Sequence, residues 1–128
     1  MKNLSTMSST QLDNIKFILT DIDDTLTTEG RLKSDAYNAM ERLSLSGYKV
    51  IPVTGRCAGW CDHIARMWPV DGVVGENGAF FYQYDHMNKK MHNVYSQTEL
   101  ERQSNFKLLH QIKDTVLSSV SGAAVASD

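Results

Sequence analysis

Apolar and polar residues follow two different rhythms along this chain. Residues 16–20 form a short apolar run without helical period, which predicts a buried strand. Residues 21–33 are polar, marked by Thr27, Thr28 and Gly30, and predict a loop. Ser34 is placed to cap a helix whose inner stripe is Ala36, Met40 and Leu43, with Tyr37 beside it. Gly47 follows as the residue that ends it. Residues 48–53 predict a second strand, in which Pro52 is tolerable because it lies near the end. A second helix reaches to Met67 with Trp60, Ile64, Met67 and Trp68 on one stripe, and Pro69 stops it. Val73 and Val74 form a short third strand. This alternation predicts an α/β fold with a doubly wound, Rossmann-like parallel sheet. Such sheets bind ligands at the carboxyl ends of their strands, where Asp21, Thr54 and Glu76-Asn77 fall.

The rhythm then changes. Residues 79–84 and 91–95 are aromatic-rich and alternating, separated by a polar stretch, which predicts a hairpin lying outside the parallel sheet. Thr98 and Glu101 make a capping box for a helix that runs to about Val120, with Leu109, Ile112, Val116 and Val120 as its stripe. From Gly122 the chain reads as the start of a further strand. Three regions result: a disordered N-terminus at 1–14, part of a core at 15–82, and a hairpin and helix opening a second unit at 83–128.

Composition narrows the function classes. The 128 residues make one domain's worth of chain, 41% hydrophobic and 22% charged, as in ordinary globular proteins. A net charge of −2 gives no electrostatic case for nucleic acid or an acidic membrane. No stretch approaches the ~20 apolar residues that span a bilayer, and residues 1–14 lack the apolar core of a signal peptide. Cys57 and Cys61 match neither a redox pair nor a zinc set, and read as reduced thiols of a cytoplasmic protein. The four histidines are scattered, without metal-ligand spacing.

The chemistry concentrates in Asp21-Ile22-Asp23-Asp24-Thr25, at the end of the first apolar run. Alternation along a strand puts Asp21 and Asp23 on one face and turns Ile22 into packing. Two carboxylates so close repel each other unless a cation lies between them, which suggests Mg²⁺. An EF-hand is excluded, because Leu26 stands where its glycine should and Leu32 where its bidentate glutamate should. Phosphoryl transfer fits best: Asp21 attacks phosphorus, and Asp23 protonates the leaving oxygen and then activates water. Thr54 and the amide of Gly55, just before a helix, can grip phosphate oxygens. Arg56 either contacts substrate or pairs with a carboxylate such as Asp24. Glu76-Asn77-Gly78 either lines the site or is an ordinary turn. Trp60 and Trp68 read as core or domain-contact residues, and His63, His86, His92 and His110 as surface or satisfied histidines.

Asp21 through Leu26 resembles the first signature, Asp-x-Asp-x-Thr/Val-Leu/Val, of the haloacid-dehalogenase-like (HAD) phosphatase superfamily. Thr54 after an apolar strand resembles the second. Thr54-Gly55-Arg56 with Glu76-Asn77-Gly78-Ala79 looks like subclass IIB, the sugar-phosphatase-like branch with a large α/β cap. The resemblance covers residues 15–82 closely. It implies Asp21 as nucleophile, Asp23 as acid/base, Thr54 as phosphate binder, and Mg²⁺ on the Asp21 side chain and the Asp23 carbonyl. Gly55, Arg56 and Asn77 join Thr54 as candidate phosphate- or substrate-binding residues. The implied substrate is a small, phosphosugar-like metabolite.

The family's third signature is a Lys or Arg beyond the cap, and its fourth an acidic pair beyond that. Lys89, Lys90, Arg102, Lys107 and Lys113 all lie before or within the cap-like region. Asp71 and Asp85 are isolated, and Asp114 sits on the last helix. The chain is therefore expected to be the N-terminal portion of such an enzyme, carrying its nucleophile half and weak or inactive alone. The expected partners are a small phosphorylated metabolite and a second copy or a complementing C-terminal fragment. An alternative is a degenerate, non-catalytic remnant that binds or assembles through an open sheet edge. A phospho-acceptor signalling domain would place its acceptor after the third strand, where this chain has Val74-Gly75-Glu76.

Overall fold

A computed structural model describes residues 3–126. A 3-10 turn at Leu4–Thr6 and helix α1 (Ser9–Asp13) lead into β1 (Phe17–Thr20), a small hairpin of β2 (Thr27–Thr28) and β3 (Arg31–Leu32), and helix α2 (Ser34–Leu45). Then come β4 (Lys49–Pro52), α3 (Ala58–Met67), β5 (Val73–Gly75), a 3-10 turn at Glu76–Gly78, β6 (Phe80–Asp85), β7 (Lys90–Tyr95) and α4 (Glu99–Ser119).

The parallel part is built as the alternation predicts. Strand β1 pairs in parallel with β4, Phe17 opposite Lys49 and Thr20 opposite Pro52. Pro52 ends β4, and the ladder resumes at once through the amide of Val53, which donates to the Thr20 carbonyl at 2.8 Å. The β5 segment meets the β4 segment through an isolated parallel bridge, Val53 opposite Val74. Thr54 N–H donates to the Val74 carbonyl and Asp71 N–H to the Val50 carbonyl, each at 2.9 Å. Asp71 also takes the Val50 amide and the Lys49 ammonium on its carboxylate, so this isolated acid is a structural clip.

The hairpin lies outside the parallel β1–β4 pair, as expected. Strand β6 pairs antiparallel with β5, and β7 with β6, which makes a separate three-stranded sheet in the order β5-β6-β7. Gly75 permits this tight turn-back. A Cβ there would stand 2.2 Å from Phe80 Cζ and 2.7 Å from Cys61 Sγ.

The core gathers Ile22, Cys61, Ile64, Ala65, Val73, Phe80 and Tyr82. Burial of a side chain such as Ile64 contributes about 1.5–3 kcal/mol. The expected stripe of α3 is thereby corrected. Cys61, Ile64 and Ala65 are its buried residues, while Trp60 and Met67 are 54% and 63% exposed. The space beside Gly75 and the Phe80 ring is filled by the Cys61 thiol and has no room for a large side chain. In α2 the stripe stands, with Met40 buried and Ala36, Tyr37 and Leu43 half-buried. Ser34 is its first helical residue, however, and Lys33 occupies the cap position without a side-chain bond.

Two further expectations change. Residues 21–33 contain the β2–β3 hairpin, whose two-residue strands are too short to show a period. Residues 121–122 form a turn and 123–126 adopt neither helix nor strand; residues 127 and 128 of the expected last strand lie outside the described residues, as do residues 1 and 2. No helix among the described residues is long and apolar enough to cross a membrane.

Candidate active site

The chemistry-bearing loop leaves the sheet at Thr20. The carbonyl of Ile22 accepts from the amides of Thr25, Leu26 and Thr27 and from the Thr27 hydroxyl, at 2.9–3.3 Å. Thr27 is buried, and Ile22 is 1% exposed in the core. That knot fixes Ile22 inward and leaves Asp21 and Asp23 exposed on either side of it. Because the strand has already ended, its alternation does not carry the two carboxylates to one place. Asp21 lines an open cleft of ≈ 370 Å³ with Leu19, Thr20, Val53, Thr54, Gly55 and Asn77. Asp23 is not among the residues of that cleft.

The opposite wall comes from the turn after β4. Thr54 is 3% exposed, and its Oγ1 accepts the Arg56 amide at 3.1 Å, so its hydroxyl proton is left to donate. The turn at Glu76–Gly78 is laced onto this segment by two backbone bonds, Asn77 N–H to the Thr54 carbonyl at 3.0 Å and Glu76 N–H to the Arg56 carbonyl at 3.1 Å. Both Glu76 and Asn77 take positive φ, 47° and 55°, which aligns these donors. The Asn77 side chain then lies over Gly55, where a Cβ would stand 3.2 Å from Asn77 Oδ1. Helix α3 begins only at Ala58, so the Gly55 amide precedes the helix rather than belonging to its first turn.

Arg56 turns the other way. Its Nη2 and Nε bind the Asp23 carboxylate at 2.6 and 3.2 Å. Of the two options the sequence leaves open, substrate or a carboxylate such as Asp24, the guanidinium takes a carboxylate, that of Asp23, while Asp24 adopts a left-handed φ of 56°. The guanidinium also stands 4.9 Å over the Trp60 ring. These hydrogen bonds hold the Asp23 carboxyl below the usual carboxylate range and raise Arg56, outweighing the small opposing effect of burial on each. Trp60 as a platform for Arg56 is not legible from helical spacing, because Arg56 precedes the helix that carries Trp60.

The donor chemistry around Asp21 suits a hard cation. Mg²⁺ takes oxygen ligands and keeps several waters and phosphate oxygens in its shell. The Asp21 carboxylate and the Asp23 carbonyl, which accepts no hydrogen bond among the described residues, are oxygens of this kind. No cluster of three His, Cys, Asp or Glu side chains suited to a metal occurs among the described residues.

The profile of the haloacid dehalogenase-like hydrolases matches residues 18–127. No curated protein sequence matches the chain. A phosphatase of the haloalkanoate (HAD) superfamily from Bacteroides thetaiotaomicron is similar in structure, with TM-score 0.51 and 24% identity over 77% of this chain and 36% of that one. A haloacid dehalogenase-like hydrolase from B. subtilis matches with TM-score 0.54 and 20% identity over 78% of this chain and 34% of that one. A hypothetical protein from Geobacillus kaustophilus matches with TM-score 0.54 and 24% identity over 77% and 38%. The chain thus shares their fold and spans about a third of the length of these solved structures.

Proposed function

We propose that this chain, which belongs to the haloacid dehalogenase-like hydrolase family, carries the nucleophile half of a Mg²⁺-dependent phosphomonoester hydrolase. The observation that supports this reading is the single cleft lined by Asp21, Thr54, Gly55 and Asn77 at the ends of two parallel strands. A carboxylate oxygen of Asp21 attacks phosphorus, the bond to the leaving oxygen breaks, and an aspartyl-phosphate forms. Asp23 supplies the proton to the leaving oxygen, then accepts one from the water that displaces phosphate and regenerates Asp21. The Thr54 hydroxyl, the Gly55 amide and the Asn77 side chain hold phosphate oxygens. The Asp21 carboxylate and Asp23 carbonyl would hold Mg²⁺, which when bound screens the charge of phosphate and nucleophile.

The substrate class that fits is a small phosphosugar-like metabolite of the cytoplasm, a setting in keeping with the free thiols of Cys57 and Cys61. The 128-residue chain should hydrolyse p-nitrophenyl phosphate slowly in Mg²⁺, and Asp21→Asn should abolish the reaction. A rate unchanged in Asp21→Asn overturns the assignment of the nucleophile. Fast turnover by the chain alone overturns the statement that it holds only half of the machinery.

A second reading has two observations in its favour. Phe17 and Leu19 on β1 are 59% and 65% exposed, and α4 buries no residue among those described. A binding or assembly module working through these faces, with a second copy or a complementing C-terminal fragment, would use them. Light scattering that finds a monomer at all concentrations removes the self-assembly form of it.

A further inference from the structure

Arg56 is tied to the phosphate cleft by its backbone and to Asp23 by its side chain. Its amide is fixed to Thr54 Oγ1 and its carbonyl to the Glu76 amide, so its backbone is held directly behind Thr54 and Gly55, which line the cleft. Its guanidinium, in contrast, sits on a flat ring, Trp60, and in a pair whose acid is 50% exposed. Solvent-exposed ion pairs contribute little, because water screens them. Among the described residues Arg56 is the one cation ion-paired to the Asp21–Thr25 loop.

We propose that Arg56 is an exchangeable counter-charge: it holds Asp23 while the cleft has no anion, and turns to the phosphate when a phosphomonoester seats against Thr54 and Gly55. This rests on the phosphomonoester reading above. A dianion at a given distance attracts a guanidinium about twice as strongly as one carboxylate does. The planar fork matches two phosphate oxygens as well as two carboxylate oxygens. The Trp60 face lets the guanidinium turn while keeping its aromatic contact. The exchange supplies the phosphate with a positive charge and frees the Asp23 carboxyl for proton transfer in one movement.

The test is inorganic phosphate binding to the 128-residue chain, read by the Thr54 and Gly55 amide resonances and, in a Trp68→Phe background, by Trp60 fluorescence. Arg56→Ala should weaken binding about tenfold and Arg56→Lys by less, the point charge replacing the fork only in part. The fluorescence response should be lost in Arg56→Ala. Asp23→Asn should tighten binding several-fold, and most of that gain should vanish in the Arg56→Ala background, because the two side chains act as a unit. Equal binding by wild type and Arg56→Ala, with the Thr54 and Gly55 amides still shifting, overturns the exchange and leaves the phosphate site standing. An equal gain from Asp23→Asn in both backgrounds also overturns it, since relief of direct repulsion then accounts for the effect. If the two amides stay unmoved in wild type and Asp23→Asn alike, the phosphomonoester reading falls, and the exchange with it.

Discussion

Helix α3, ten residues long, places Cys61, Ile64 and Ala65 at 0–2% exposure, whereas the 21-residue α4 leaves Ile112 49%, Val116 42% and Leu109 61% exposed. Both helices repeat apolar residues every three to four positions. The difference lies in what faces them. Helix α3 lies against β5 and β6, whose Val73, Phe80 and Tyr82 complete one cluster with it. Helix α4 is secured at its start, where Thr98 and Glu101 cap each other and Arg102 lies 3.5 Å over the Tyr95 ring. Past that first turn nothing among the described residues buries it. Periodicity tells which side of a helix is apolar; burial depends on a second surface, and the energetic consequences follow the second surface.

The largest expected contrast is a paired truncation. Ile64→Ala should destabilise the chain by about 2–5 kcal/mol through lost burial and a residual cavity, while Ile112→Ala should stay within about 0.5 kcal/mol. Urea denaturation of the two variants measures both, and a cost at Ile112 approaching that at Ile64 would show that α4 is covered. Next comes Gly75→Ala, with a Cβ forced onto the Phe80 ring and Cys61 Sγ, expected to cost about 1–3 kcal/mol by overpacking. Phe80→Leu in the same background should recover part of that loss if the contact with the ring is its source.

The smallest effect concerns pH. Burial pushes the Cys61 thiol up to about 11, helped by Cys57 and Glu76 nearby and opposed by Arg56. An acid whose folded value exceeds its unfolded value contributes stability that is complete at neutral pH, declines from about 9 upward and is lost by about 11. Wild type should therefore lose stability relative to Cys61→Ala between those limits. Alkylation at pH 9 should label Cys57 well before Cys61.

Much of this fold is legible in the sequence because its signals are local. The capping box of α4, the alternating aromatic strands, and the β-α-β spacing that carries Asp21 and Thr54 to neighbouring strand ends all depend on residues near one another. The misreadings share a different cause, since each depends on a distant partner. Large Trp60 and Met67 look like core, yet the close approach of Gly75 and Phe80 selects the small Cys61 instead. Arg56 is open in sequence between substrate and a carboxylate such as Asp24, and the knot at the Ile22 carbonyl, which ends the strand alternation, presents Asp23 to it. Strand β5 looks like a third member of the parallel sheet, yet it pairs with the hairpin and meets the β4 segment only at the Val53–Val74 bridge. In the cleft, the pairing of Asn77 with Gly55 was open from sequence and is set by two backbone bonds between turns.

That Asp21 is the atom-accepting residue of the cleft is tested most directly by trapping the phosphorylated chain. Incubation with a small phosphoryl donor in Mg²⁺, quenching in acid and borohydride reduction convert an acyl-phosphate aspartate to homoserine, which peptide mass spectrometry locates. Homoserine at position 21, absent from Asp21→Asn and from donor-free controls, is the predicted result. Homoserine at position 23 or 24 instead, or equal labelling of Asp21→Asn, would contradict it.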